Sequence, residues 1–185
     1  GTTDPSGNET TFEYDSQGRL LKTTYPPIDD GKGGLVCPFT CTEYDAMGNA
    51  VKTYDACGHC TTTEYTVRGQ PCRITYPDGS VETMEYTLQG VLCKKTAKNG
   101  LTTTYTIDHF GRITRTEISD AKGELLKTTS AFYNTFHQLN ETDEAGVVTI
   151  FDYDKAGRRI SSKKEHRITL FEYDPLGRVS KTIEQ

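Results

Sequence analysis

Short runs of alternating apolar and polar residues recur along the chain, each closing on an aromatic position. Thr11-Phe12-Glu13-Tyr14, Thr149-Ile150-Phe151-Asp152-Tyr153 and Thr169-Leu170-Phe171-Glu172-Tyr173 show the pattern. Successive side chains of a strand point to opposite faces. Phe12 and Tyr14 therefore share one face, and Thr11 and Glu13 the other, as in a sheet with unlike faces. Aligning the runs on their last residue gives eight units. Their anchors are Tyr14, Tyr44, Tyr65, Tyr86, Ile107, Tyr133, Tyr153 and Tyr173, spaced by 30, 21, 21, 21, 26, 20 and 20 residues. A period near 21 residues marks a tandem repeat, so residues 1–185 read as a single array of about eight units. The two long spacings carry insertions, which are expected in loops.

Four anchors open the motif Tyr-Asp-x-x-Gly, and Ile107 opens the same run without the tyrosine. Asp at the first position of a four-residue turn and Gly at the fourth are the preferences of a type I turn. The glycine can take positive φ without a Cβ clash. These glycines are Gly18, Gly48, Gly69, Gly90, Gly111, Gly157 and Gly177; the sixth unit has His137 instead, which predicts the least regular turn. With the tyrosines Tyr14, Tyr44, Tyr65, Tyr86, Tyr133, Tyr153 and Tyr173 they form the structural motif of the array. A second turn follows in most units: Cys57-Gly58-His59, Pro77-Asp78-Gly79, Lys98-Asn99-Gly100, Ala121-Lys122-Gly123 and Glu144-Ala145-Gly146. Two turns per repeat mean two short strands per repeat, so each unit is a hairpin and the array an antiparallel meander. About 16 strands follow, and an open sheet rarely exceeds ~10 without curling. The expected fold is all-β, a curved antiparallel sheet with raw edges at both ends.

Charge is distributed in register with the anchors. An acidic residue precedes six of the eight (Glu13, Glu43, Glu64, Glu85, Asp152, Glu172). A basic residue lies four places beyond the turn glycine in six units (Lys22, Lys52, Arg73, Lys94, Arg115, Lys181). The spacing predicts an acidic and a basic ladder on one solvent-facing surface, where opposite charges on neighbouring strands attract.

Composition agrees with a thin β-structure. Hydrophobic residues make up 34% of the chain, threonine occurs 30 times and tryptophan never. Threonine and tyrosine suit a pleated, half-buried surface. A net charge of -5 and a basic cluster no longer than Lys163-Lys164 argue against nucleic acid as a partner. No stretch is apolar enough for a membrane-spanning helix, and none is expected to insert. The chain begins and ends in repeat-like sequence, so it reads as a segment of a longer protein.

This pattern resembles the Rhs/YD-repeat family from about Thr10 to Ile183, most specifically at Tyr153-Asp154-Lys155-Ala156-Gly157-Arg158 and Tyr173-Asp174-Pro175-Leu176-Gly177-Arg178. The resemblance implies a hollow β-shell wound from such repeats. In bacterial members the shell encloses a toxic C-terminal polypeptide; in animal teneurins it belongs to a cell-surface adhesion protein. A secreted or cell-surface location is implied in the same way. Bacterial members often end the shell in an Asp-Pro-x-Gly-Leu signature linked to self-cleavage. Here Asp174-Pro175-Leu176-Gly177 is followed by Arg178 and stays in phase with the repeat, so it reads as an ordinary turn.

Six cysteines allow other readings. Cys37 and Cys41, followed by Cys57 and Cys60, could be a four-thiolate zinc site, although spacing alone is a weak signal. Cys57-Gly58-His59-Cys60 also matches a disulfide-exchange motif, but that chemistry needs a helix N-terminus and this stretch falls on a hairpin turn. A Cys57–Cys60 disulfide across a type II′ turn at Gly58-His59 is the preferred pairing. Cys72 and Cys93 occupy equivalent repeat positions about 9–10 Å apart, beyond disulfide reach. The four histidines, His59, His109, His137 and His166, are scattered and form no recognisable nucleophile–base set. Gly31-Lys32-Gly33-Gly34 lacks the context of a phosphate loop and reads as the tip of a loop from Pro26 to Pro38. No catalytic residue, cofactor or metal is assigned. The leading expectation is a wall segment of a shell that encloses a toxin, with the remaining repeats, capping domains and the enclosed polypeptide as partners. The alternative is a carbohydrate- or protein-binding module, which a row of solvent-exposed rings would favour.

Overall fold

The computed structural model describes residues 1–29 and 31–185, and every regular element among them is a strand. Two compact units divide the chain, Gly1–Met84 and Glu85–Gln185. The first contains β1 (Thr2–Thr3), β2 (Glu9–Tyr14), β3 (Leu20–Thr24), β4 (Ile28–Asp29), β5 (Leu35–Val36), β6 (Phe39–Tyr44), β7 (Ala50–Tyr54), β8 (Cys60–Tyr65) and β9 (Pro71–Thr75), and the start of β10 (Val81–Tyr86). β2, β3, β6, β7, β8, β9 and β10 each pair antiparallel with the next, and β1 covers the outer edge of β2. The second unit continues with β11 (Leu92–Thr96), β12 (Thr102–Ile107), β13 (Ile113–Ser119), β14 (Leu125–Tyr133), β15 (Gln138–Thr142), β16 (Val148–Tyr153), β17 (Arg159–Lys164), β18 (Arg167–Tyr173) and β19 (Val179–Glu184), again a meander of consecutive antiparallel pairs. The all-β hairpin array expected from the alternation is what forms.

Both long spacings resolve differently from a plain loop. In the first, β4 and β5 pair as a small ribbon within the segment from Pro26 to Pro38, and the Tyr25 amide donates to Pro38 O at 2.8 Å to close its base. In the second, the extra residues lengthen the hairpin itself: β13 has seven residues and β14 nine, against five or six in most strands. Ile113, Thr114, Thr116, Ile118, Thr128 and Thr129 are β-favouring residues, and pairing on the sheet satisfies backbone groups that a loop would leave to water.

The hairpins have little interior. Among the described residues only Phe151 is a buried hydrophobic, 5% exposed, with Thr23 and Thr149 as buried polar residues. Along β16, Thr149 and Phe151 are buried while Val148, Ile150 and Asp152 are exposed, which is the period-two alternation made visible. Hydrophobic burial, normally the dominant favourable contribution to folding, is therefore thin here. Hydrogen-bonded strands, turns and side-chain contacts between repeats carry a correspondingly large share.

Candidate functional site

The feature that recurs along the array is the turn after the anchor, and in five repeats its construction starts with an aspartate. In the first repeat Gly18 donates to Asp15 O at 3.0 Å, the type I closure, and Asp15 donates to Arg19 O at 3.0 Å. The extra residue is absorbed by Gly18 at φ 80° and by a register shift between Glu13 and Tyr14. This is a type I turn followed by a glycine bulge. The Asp15 carboxylate accepts from the Gln17 and Arg19 amides through Oδ1 (2.8 and 2.9 Å) and from Arg19 Nε through Oδ2 (2.6 Å). Asp108, Asp154 and Asp174 repeat the arrangement with Arg112, Arg158 and Arg178. In these turns Asp stands at the first position and Gly at the fourth. In the sixth repeat, where His137 replaces glycine, the loop is one residue shorter: Asn134 donates to His137 O and Tyr133 faces Gln138. That turn departs from the others as its sequence implied.

The second turns use the same closure, for example Gly58 to Asp55 O at 2.9 Å and Asp55 to His59 O at 3.0 Å. Here the preferred disulfide fails. A type II′ turn would centre on Gly58-His59, but the five-residue loop runs from Asp55 to His59 and pairs Cys60 with Tyr54. Cys57 sits on the exposed turn and both thiols are free. The four-thiolate reading is not assembled either. Cys41 and Cys60 register with Tyr54 from opposite sides, which separates them by two strand spacings, about 10 Å. Cys72 and Cys93 each direct Sγ to a carbonyl of their own hairpin, Glu64 O at 3.4 Å and Glu85 O at 3.3 Å.

Four of the turns also reach their neighbours, a feature that the sequence reading missed. In three repeats the arginine after the turn glycine lies over the anchor ring of the next repeat. The Arg19 guanidinium sits 4.8 Å from the Tyr44 centroid, Arg112 4.6 Å from Tyr133 and Arg158 4.9 Å from Tyr173, and the His137 ring stacks on Tyr153 at 4.4 Å. Arg112 Nη1 also donates to Asn134 O at 2.9 Å. In return the anchor hydroxyl donates to a carbonyl of the preceding repeat: Tyr44 to Leu20 O at 3.1 Å, Tyr65 to Ala50 O at 2.9 Å, Tyr153 to Gln138 O at 2.8 Å and Tyr173 to Arg159 O at 2.6 Å. The signal was present: glycine is followed by arginine in four of the eight units. The anchor tyrosines Tyr44, Tyr65, Tyr86, Tyr133, Tyr153 and Tyr173 are half-buried, and only the first, Tyr14, is exposed. Tyr173→Phe removes one such hydroxyl and is expected to destabilise the chain by about 1 kcal/mol in urea unfolding, while Tyr14→Phe has no measurable effect.

The ladders form as paired charges on one face of each unit. Glu13 faces Lys22, Glu43 faces Lys52, Glu64 faces Arg73 and Glu172 faces Lys181 across their strand pairs. Ion pairs span Glu43–Lys52 at 3.0 Å, Glu64–Arg73 at 3.6 Å and Glu85–Lys94 at 3.1 Å. Arg115 deviates: it faces Thr106, which is not acidic, and pairs with Glu117 at 2.7 Å along its own strand.

Residues 1–26 match the family described as RHS Repeat, and the same Tyr-Asp-x-x-Gly hairpin recurs down the chain. The match to the RHS Repeat family thus covers the first hairpin of the array. A chain of the Photorhabdus luminescens Tc holotoxin pore, carrying a TccC3 mutation, has the same fold: TM-score 0.68, 16% identity, with 96% of this chain and 11% of that one covered. The TcdB2–TccC3–TEV crystal structure gives a TM-score of 0.69 at 15% identity, with 95% and 11% covered. The chain thus spans about a ninth of the length of these two neighbours. No curated protein matches it.

The YD turns make acid sensitivity predictable. The carboxyls of Asp15, Asp154 and Asp174 lie below the usual aspartate range, through the amide of the following arginine first and its guanidinium next, with desolvation opposing both. A depressed folded-state pKa gives stability that is complete above the unfolded-state value and lost as pH falls through the folded one. The urea midpoint should therefore hold from pH 7 to about 5 and fall below about 4. A midpoint that does not fall below pH 4 would show that the turn carboxylates add nothing.

Proposed function

We propose that this chain is a structural wall segment of a larger Rhs/YD-repeat shell, in a secreted or cell-surface protein that encloses a toxin polypeptide. The observation that carries the reading is the use of the motif side chains. The tyrosine hydroxyls and the arginines after the turn glycine join one hairpin to the next, and the turn aspartates hold those arginines, as a wall requires. Its partners on this reading are further repeats and capping domains of the same protein, and its role is non-enzymatic. A second reading, an adhesive module, is favoured by one feature. The turn tips of the YD row are apolar in six repeats, with Met47, Val67, Leu88, Phe110, Phe136 and Leu176 between 56% and 91% exposed. Light scattering over a concentration series, with circular dichroism on the same samples, separates the two. A wall segment associates through its open strand edges and keeps a β-rich spectrum. A chain that stays monomeric at every concentration contradicts the wall reading and supports the adhesive one.

A further inference from the structure

We propose that the hairpin tip from Asp55 to His59 is a binding site for a zinc-class divalent cation, held by the Asp55 carboxylate, the Cys57 thiolate and the His59 imidazole. Ligand atoms of these three exposed side chains lie within 4.8 Å of one another. Carboxylate, thiolate and imidazole are together the donor set of a borderline-soft ion, unlike the all-oxygen sets of calcium and magnesium.

The turn fixes where the donors start. Asp55 Oδ1 accepts from the amides of Cys57 and His59, both at 2.9 Å, so the three donor-bearing residues are held by the same carboxylate. Asp55 Oδ2 lies 2.9 Å from His59 Nδ1. In a tetrahedral zinc site the N···O edge is about 3.3 Å and the S···N edge about 3.5 Å, from bond lengths of about 2.0–2.3 Å. The nitrogen and oxygen thus already stand near a coordination edge. Rotation of the exposed Cys57 side chain closes the third corner, and at least one position remains open to water. Binding releases the thiol proton and, where Nδ1 is the ligand, the proton shared with Asp55.

The other turns serve as internal comparisons. The same three places hold Asp15, Gln17 and Arg19 in one turn, Asp45, Met47 and Asn49 in another, and Asp120, Lys122 and Glu124 in a third. In these, the fifth residue donates to the aspartate or carries a second carboxylate. At Asp55 an imidazole stands where the YD turns put a guanidinium, and a thiol fills the tip. The residues differ from the four-thiolate set suggested by spacing, of which only Cys57 takes part.

The test is titration of the reduced chain with Co²⁺, followed by competition with Zn²⁺. One equivalent should bind with a thiolate-to-cobalt charge-transfer band in the near ultraviolet, and Zn²⁺ should abolish the band. Cys57→Ser should remove it, and His59→Arg, which restores the guanidinium of the other turns, should weaken binding at least about tenfold, the loss typical of even outer-sphere partners of a metal. Cys41→Ser and Cys60→Ser should leave the band intact. Circular dichroism confirms that each variant folds. Absence of a stoichiometric band, or a band that survives Cys57→Ser, overturns the proposal.

Discussion

Gly100→Ala is expected to destabilise the chain by about 2–4 kcal/mol. Gly100 closes the turn from Ala97, with its amide donating to Ala97 O at 2.8 Å, and has φ 85°. An L-residue there pays about 1–2 kcal/mol for the left-handed conformation. A Cβ at this position would also stand 2.7 Å from Ala121 Cβ on the neighbouring turn. Neither group can rotate away, so the backbone must shift, and overpacking of this kind costs about 1–3 kcal/mol. Gly18→Ala separates the two effects. Gly18 has φ 80° but open space around its Cβ position. It carries the conformational cost alone, partly offset by the reduced freedom of the unfolded chain, and about 1 kcal/mol is expected. Chemical denaturation of both variants checks the difference. Equal losses would mean that adjacent turns do not press on one another at Gly100.

The second large effect falls on Phe151. Its ring is 5% exposed, and the Arg159 guanidinium covers it at 3.8 Å from the centroid. Truncating a buried phenylalanine typically costs 3–5 kcal/mol, as lost transfer energy plus a cavity. With so little core around it, the surroundings can partly collapse, and about 3 kcal/mol is expected for Phe151→Ala. Phe132, 60% exposed on an adjacent hairpin, is the comparison, and its truncation should cost under about 0.5 kcal/mol. A small loss at Phe151 would show that the second unit derives no stability from this site.

Much of the architecture was legible because its determinants are local. Alternation places Phe151 and Thr149 on one face, and Asp and Gly at fixed turn places demand one turn type. The charge ladder was legible for the same reason: a constant offset from a constant turn brings Glu43 opposite Lys52. What stayed hidden depends on the neighbouring repeat or on competition between turn types. The arginine after glycine looks like an ordinary surface residue until the next tyrosine lies beneath it. The insertion before Tyr133 pairs as strand, with β-favouring Thr116, Ile118, Thr128 and Thr129 in the lengthened ladder. Lys164-Glu165-His166-Arg167 forms a tight two-residue hairpin with Glu165 at φ 52°, a turn with no glycine to announce it. The Cys57 turn was misassigned because Gly58 satisfies either closure, and only the five-residue loop shared by the other turns decides between them.

The YD motif couples neighbouring hairpins through contacts such as that of Arg112 with Tyr133. A double-mutant cycle between Arg112 and Tyr133 tests it directly, with Arg112→Ala, Tyr133→Leu and the pair measured by urea unfolding. The guanidinium lies 4.6 Å from the ring centroid across a repeat boundary, and its side chain is 26% exposed. A coupling energy of about 0.5–1 kcal/mol is predicted. Strict additivity of the two substitutions would contradict this coupling and leave the array held by its strands alone.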